Sequence, residues 1–548
     1  MGLQLFTRLF TFILNQALSR LASPIAYGIA AIQFELMLST ILFLSREGVR
    51  GALLRVKPGQ DAPMGSKQGS KNRETEKQSG NAAMNVGFVP ILIGVPLAIG
   101  TSLLYVSTAS AETRIQPHFY SAVAVYVLAA LMELLSEPMH NMAMSSLQTF
   151  IRVRAEGVGI TAKTLATFLV LVYDASRSNK DGGDLALLAF AFGQLMYGSS
   201  VFLVYVRAFG RAGLLTSIAK NSSGTYFDRD VLSLSMTMTS QSLVKHFLTE
   251  GDKFILSWFS PLQDQGGYAL AVNYGSLIAR IVFQPIEETL RLYFSKTLAE
   301  VTSPSNASAP TNHSRHLPAL RDAANALLTL LQMQIVGSLF VVIFGSNYIT
   351  LVLNILLPPQ YLKTSAPRVL EAWIWYIPVL AVNGGLEAFI ASVAQTKDVN
   401  NQSRWMVLFT LVYTSSAVTL YRFNFGDVAL VYANIINLSA RIFYAWHFSR
   451  NFFAAHRASE LLNVRNMIPP WTLALGLSIS ALAIRLNETR LAPTKIVQQE
   501  GRIGILRRPV LLHIALGGAL AVLCMAWWAW TARRFLSVPA RWKKSKRA

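Results

Sequence analysis

Residues 85–108 read NVGFVPILIGVPLAIGTSLLYVST, 24 positions without a charged side chain. At about 1.5 Å of helical rise per residue, such a run crosses the roughly 30 Å hydrocarbon core of a bilayer. Working outward, comparable runs recur every 30 to 40 residues toward both ends of the 548-residue chain. About fourteen candidate spans result: 3–21, 27–45, 85–108, 119–148, 158–174, 185–206, 231–258, 267–295, 319–345, 368–396, 405–421, 427–449, 469–487 and 511–532. Composition agrees, with 52% hydrophobic residues, a mean hydropathy of +0.39 and only 14% charged residues. Soluble domains carry roughly 25% charged residues. The expected fold is an all-α integral membrane protein, with two helical lobes around a central cavity.

The net charge of +21 raises a nucleic-acid reading, which requires basic residues clustered on one folded face. Here they sit in short stretches between apolar runs, so no nucleic-acid partner is expected. The single cysteine, Cys524, excludes internal disulfides and cysteine-based metal sites. The first apolar run begins almost at Met1 and contains Arg8 and Arg20, so it reads as a retained span and not a cleaved signal. No Walker-type phosphate loop, no D-x-D in a connection opposite the cytosolic ones and no histidine pair at metal spacing occurs. No catalytic residue, metal or cofactor is expected, and the chain is read as a non-enzyme.

Lysine and arginine orient the spans. With the N-terminus in the cytosol, the cytosolic connections hold 28 Lys and Arg and the opposite ones 10. Both termini are therefore expected in the cytosol. Residues 57–83 are rich in Gly, Ser, Gln, Lys and Glu and cannot bury enough surface to fold, so a disordered cytosolic insert is expected there. A six-helix lobe over 1–206, a linker at 207–230 and a second six-helix lobe over 231–449 suit a two-lobed transporter. Two further spans in 450–532 and a basic tail at 533–548 complete the chain. That tail places Lys544 and Lys546 in a K-x-K-x-x pattern resembling a retrieval signal, against the plainer reading of a basic tail on anionic lipid.

Charge inside the spans needs a partner or water. In the first span Gln4, Arg8, Thr11, Asn15 and Ser19 form one helical stripe, which suits a wet cavity. A rival reading makes this an interfacial helix that never spans. In the seventh, His246, Glu250 and Lys253 share a face and allow an ion-pair ladder. In the eighth, Arg280, Gln284, Glu287, Glu288 and Arg291 form another stripe, with Pro285 expected to break the helix. These two clusters serve equally as helix-to-helix pairs or as substrate contacts. Lys163 has no acid one turn away, although Glu133 and Glu137 of the fourth span are available to it.

Four blocks carry a resemblance: FTRLFTFILNQALSRLASPIAYGIAAIQFELMLSTILFLSREGVR at 6–50, QSLVKHFLTEGDKF at 241–254, YALAVNYGSLIARIVFQPIEE at 268–288 and, more weakly, AWIWYIPVLAVNGGLEAF at 372–389. They resemble the eukaryotic oligosaccharide translocation protein family of the dolichol-linked N-glycosylation pathway, a branch of the multidrug/oligosaccharidyl-lipid/polysaccharide exporter superfamily. The resemblance implies residence in the endoplasmic reticulum membrane. It also implies movement of a dolichol-pyrophosphate heptasaccharide, five mannoses on two N-acetylglucosamines, from the cytosolic to the lumenal leaflet by alternating access. The partners implied are that lipid-linked oligosaccharide and membrane lipid. Matching positions are Arg8, Asn15, Arg20, Glu35, Arg46, Glu47, Arg50, Lys163, Lys245, Glu250, Lys253, Arg280, Glu287 and Glu288. Of these, Arg8, Asn15, Arg20, Lys163, Lys245 and Arg280 are expected to line the cavity, the cations meeting the pyrophosphate. Glu35, Glu250, Glu287 and Glu288 are expected as structural or coupling acids. A cation-coupled drug exporter would use Glu35 or Glu250 as its titrating acid. A non-transporting scaffold of the same pathway would need the same helices.

Overall fold

The computed structural model describes residues 14, 16–54, 85–177, 184–210, 226–302 and 313–532. The side chains at 241, 244, 245, 248, 302, 313–315, 396, 466 and 532 are not among those described. Arg8, Asn15, the 57–83 insert and the 533–548 tail lie outside the described residues. The chain forms two compact units, Met1–Ala269 and Leu270–Ala548. Every regular element among the described residues is helical.

The first unit contains α1 (Pro24–Leu53), α2 (Val86–Thr108), α3 (Phe119–Ser145), α4 (Thr149–Arg177) and α5 (Ala186–Phe209). They are followed by α6 (Arg229–Thr249), α7 (Gly251–Phe259) and the start of α8 (Leu262–Thr297). Ser23 starts α1 by accepting from the Ala26 amide, and Pro24 occupies the first turn, where its missing N–H is no loss. α1 widens into a π turn at Ile29–Phe34 and then runs on to Leu53. Its apolar face, with Ile29, Phe34, Leu38 and Ile41, packs on Phe119, Tyr126 and Leu134 of α3.

Helices meet at glycines. A Cβ on Gly28 would stand 2.6 Å from the Gly266 amide nitrogen, and one on Gly48 would stand 2.8 Å from the Ser235 carbonyl. α1 and α6 therefore touch backbone to backbone, as small residues permit in membranes. α6 and α7 fall within the first compact unit.

The second unit contains the rest of α8, then α9 (His313–Leu356), α10 (Ala366–Val393), α11 (Thr396–Arg422), α12 (Val428–Ala455), α13 (Trp471–Leu491) and α14 (Arg508–Ala532). Phe294, Phe389 and Phe453 centre its core, with the Phe389 and Phe453 rings stacked at 5.7 Å. A short helix at Pro493–Glu500 and a 3-10 turn at Gly501–Leu506 join α13 to α14.

Among the described residues, ten helices are long and apolar enough to cross a membrane: α1–α5, α8–α10, α12 and α14. α6, α11 and α13 have the length but are less apolar, α6 and α11 being rich in Ser and Thr, and most of the expected first span lies outside the described residues. α2 leaves Leu92, Ile99, Leu103 and Leu104 exposed, as a helix facing lipid does.

Candidate functional site

One face of α1 turns toward α3, α4 and α5 and leaves a cavity of about 330 Å³. From α1 come Glu35, Leu38, Ser39, Leu42, Phe43, Arg46, Glu47 and Arg50, at helical spacing on a single stripe. Glu133 of α3, Ile160 and Lys163 of α4, and Gln194 and Tyr197 of α5 complete the lining. The π turn at Ile29–Phe34 ends one residue before Glu35. Such turns shift the face that a helix presents.

The cavity floor is an ion-pair network. Arg46 Nη1 donates to Glu133 Oε1 at 2.6 Å and lies 3.4 Å from Glu137 Oε1. Arg50 grips Glu137 with two parallel bonds, Nε to Oε2 at 2.8 Å and Nη2 to Oε1 at 2.6 Å. The Glu137 side chain has no exposed surface, so its charge requires both arginines. The helix breaks at Leu135–Ser136, and Glu137 opens the following segment, where the helix dipole favours a carboxylate.

Other groups on the wall are open. Gln194 is 3% exposed, and its Oε1 has no hydrogen-bond partner. Neither Lys163 nor Glu35 takes part in an ion pair among the described residues. The Tyr197 ring lies against Gly159, where a Cβ would come within 2.9 Å of it.

The expected site residues separate on inspection. Lys163 and Glu35 line this cavity. Arg20 is exposed on the turn of helix before Ser23 and does not line it. Lys245 lies on α6, with its side chain outside the description. Glu250 pairs with Lys253 at 2.8 Å, but His246 leaves the expected ladder and bonds Thr40 Oγ1 of α1 at 2.9 Å.

In the second unit Arg280 Nη2 donates to Asn273 Oδ1 and Ser276 Oγ at 3.0 Å each, and Glu288 accepts from Gln284 at 3.1 Å. Glu287 packs against Gly384, and the nearby Glu387 is paired with Arg441. Pro285 does not break α8 as expected. The helix widens at Ala279–Phe283, the proline falls in the first turn of the next segment, and α8 continues through it to Thr297. Among the described residues no group of three or more His, Cys, Asp or Glu is placed to hold a metal.

Reading the sequence did not find the floor. Its signal was there in two pairs at a four-residue spacing, Arg46 with Arg50 and Glu133 with Glu137. Gln194 gave no signal, since one glutamine in an apolar run reads as incidental.

A sequence profile for the family described as Rft protein matches residues 1–541. The Man(5)GlcNAc(2)-PP-dolichol translocation protein RFT1 of Yarrowia lipolytica is 32% identical over 504 residues, covering 85% of this chain and 71% of its own. The Schizosaccharomyces pombe protein of that name is 31% identical over 483 residues, covering 87% of this chain and 85% of its own. A solved structure of the lipid II flippase MurJ, in an inward closed conformation, matches with a TM-score of 0.53 at 13% identity. That match covers 98% of this chain and 100% of the other, and at this identity it speaks to fold alone.

Proposed function

This chain belongs to the Rft protein family, and on that footing we propose that it translocates Man5GlcNAc2-PP-dolichol from the cytosolic to the lumenal leaflet of the endoplasmic reticulum membrane. A heptasaccharide on a pyrophosphate cannot enter hydrocarbon bare, so its passage needs a polar path between helices. The observation that carries the proposal is such a polar space inside a bundle of membrane-crossing helices, with hydrogen-bonding groups left open on its wall. The relatives' names supply the substrate.

The positive-inside bias supports cytosolic termini. In that orientation the cavity, built on Glu35 to Arg50 of α1, lies toward the cytosolic side, where the lipid would load. Alternating access between two lobes moves the sugars while the polyprenyl tail stays in lipid. The pyrophosphate is assigned to cations outside the paired floor: Arg8, Arg20, Lys245 and Arg280, with Asn15 beside Arg8 on its stripe. Glu250, Glu287 and Glu288 are assigned to holding helices together.

The test is reconstitution of the full chain into sealed vesicles with labelled lipid-linked oligosaccharide, following access of an external mannosidase to the sugars. Translocation brings the inner-leaflet pool within reach. If only the outer-leaflet pool is trimmed, with the protein inserted and folded, the chain is a scaffold of the pathway and not a carrier.

A further inference from the structure

We infer that the first-unit cavity is a sugar subsite, holding the hydroxyl-rich end of the lipid-linked oligosaccharide and excluding its pyrophosphate. The inference rests on the translocation reading and assigns one part of that substrate to one site.

Charge argues first. The lining offers three cations, Arg46, Arg50 and Lys163, against three carboxylates, Glu35, Glu47 and Glu133. Glu137 beneath the floor adds a fourth carboxylate, and Glu47 is engaged in a further interaction, so the cavity carries no surplus of positive charge. A pyrophosphate entering here finds no net positive charge to offset its own, in a medium that screens poorly. The two groups best shaped to grip phosphate, the guanidiniums, are already bound to Glu133 and Glu137. Turning them to a ligand would strand Glu137 as a buried, uncompensated charge.

The open groups argue second. Gln194 Oε1 is a buried acceptor with no donor, and burying such a group unpaired is unfavourable. Glu35 supplies further acceptors and Lys163 supplies donors on the same wall. The Ser39 hydroxyl donates to the Leu36 carbonyl at 3.1 Å, which leaves its own lone pairs free to accept. Vicinal hydroxyls both donate and accept, and this mixture satisfies them where a purely anionic group would use only the donors.

Shape argues third. Tyr197 and Phe43 bring aromatic surface to the polar wall, and a pyranose has apolar C–H faces as well as hydroxyls. The missing Cβ of Gly159 lets the Tyr197 ring lie back against α4. A volume near the low end of the roughly 300–1,000 Å³ range of ligand pockets admits the tip of an oligosaccharide and not the whole.

The test uses the full chain in lipid nanodiscs and two probes: free Man5GlcNAc2 without lipid, and a short-chain polyprenyl pyrophosphate without sugar. Calorimetric titration should show glycan binding that falls about tenfold in Gln194→Leu and several-fold in Ser39→Ala. Affinity for the pyrophosphate probe should stay within about twofold in both variants. Thermal unfolding of each variant identifies any that fail to fold, and Ser39→Ala is the milder of the two. A Lys163→Met variant that loses the pyrophosphate probe and keeps the glycan would make the cavity an anion site and overturn the inference. So would folded wild-type protein with no glycan binding, or glycan affinity indifferent to both Gln194→Leu and Ser39→Ala. Failure of the vesicle assay alongside intact, Gln194-dependent glycan binding would sink the translocation reading and leave the subsite standing.

Discussion

Glu137 has no exposed side-chain surface and accepts from both Arg46 and Arg50, so its carboxylate persists only inside that network. Glu137→Ala leaves two guanidiniums without their shared partner and is expected to destabilise the protein by about 3 kcal/mol or more. A fall in unfolding temperature and in membrane abundance would register this, and an unchanged Glu137→Ala protein would show the network to be dispensable. Glu137→Gln, which keeps the shape, should be milder. Arg8 is the opposite case. It lies outside the described residues, the sequence places it on the polar stripe expected of the first span, and its proposed task is to meet the pyrophosphate. Arg8→Ala should abolish complementation in cells lacking the endogenous protein while abundance stays near normal. Arg8→Lys should keep part of the activity, since charge survives and the bidentate fork does not. Full function in Arg8→Ala would remove the residue from the mechanism. At this scale the sequence revealed the charges and the Glu250–Lys253 pair, but not the pairing of the cavity floor. Glu133, Glu137 and Lys163 were all visible as intramembrane charges, yet Arg46 was counted as the first residue of a cytosolic loop. α1 in fact carries its helical register through Leu53, and that extra length brings both arginines over α3.

Long apolar helices were the most legible elements, because twenty or so uncharged residues admit few other readings. α6, α11 and α13 sit at the limit, long enough to span but less apolar, with hydroxyl side chains along α6 and α11. Contacts between helices were not legible at all. Nothing in the spacing of Gly28 and Gly266 says that α1 and α8 cross there, 238 positions apart in sequence. The crossing leaves no room for a side chain, since a Cβ at Gly28 would also fall 2.8 Å from the Leu262 carbonyl. Gly28→Val must push backbone apart and is expected to cost about 1–3 kcal/mol, seen as a lowered unfolding temperature in detergent. Wild-type stability in Gly28→Val would mean that the crossing yields easily. The connection from α13 to α14 should behave differently. There Arg507 pairs with Glu500 at 2.7 Å on open surface and holds that carboxyl below its ordinary range. A lowered carboxyl gives stability present above its unfolded value and lost as pH falls through the folded one. Because the pair is solvent-exposed, Glu500→Gln should leave the unfolding temperature nearly unchanged at neutral pH.

Across the whole molecule, the proposed orientation rests on the distribution of lysine and arginine, and every assignment of a cytosolic or lumenal face depends on it. The bias of 28 to 10 is strong, but the helices that pass for membrane spans number ten among the described residues, and one miscounted crossing would invert everything downstream of it. Orientation therefore needs a measurement on each side of a doubtful helix, and the chain suits one. Its only cysteine, Cys524, is 9% exposed within α14, so a membrane-impermeant maleimide should find little background on the native protein. Ser305→Cys places a thiol in the connection between α8 and α9, outside the described residues and proposed to be cytosolic. Ile503→Cys places one between α13 and α14 at a side chain 77% exposed and proposed to be lumenal. In sealed microsomes, whose outer face is cytosolic, Ser305→Cys should label at once and Ile503→Cys only after detergent. The acceptor motifs at Asn221, Asn306, Asn312 and Asn401 should accordingly carry no glycan. Asn487 should carry none for a separate reason, since its amide lies 3.0 Å from His513 Nδ1 inside the α13–α14 contact. If both thiols label before detergent, an odd number of crossings has been misassigned between them, and α11 and α13 are the first to re-examine. If the labelling is simply reversed, the first-unit cavity opens toward the lumen, and the lipid cannot load there from the cytosol.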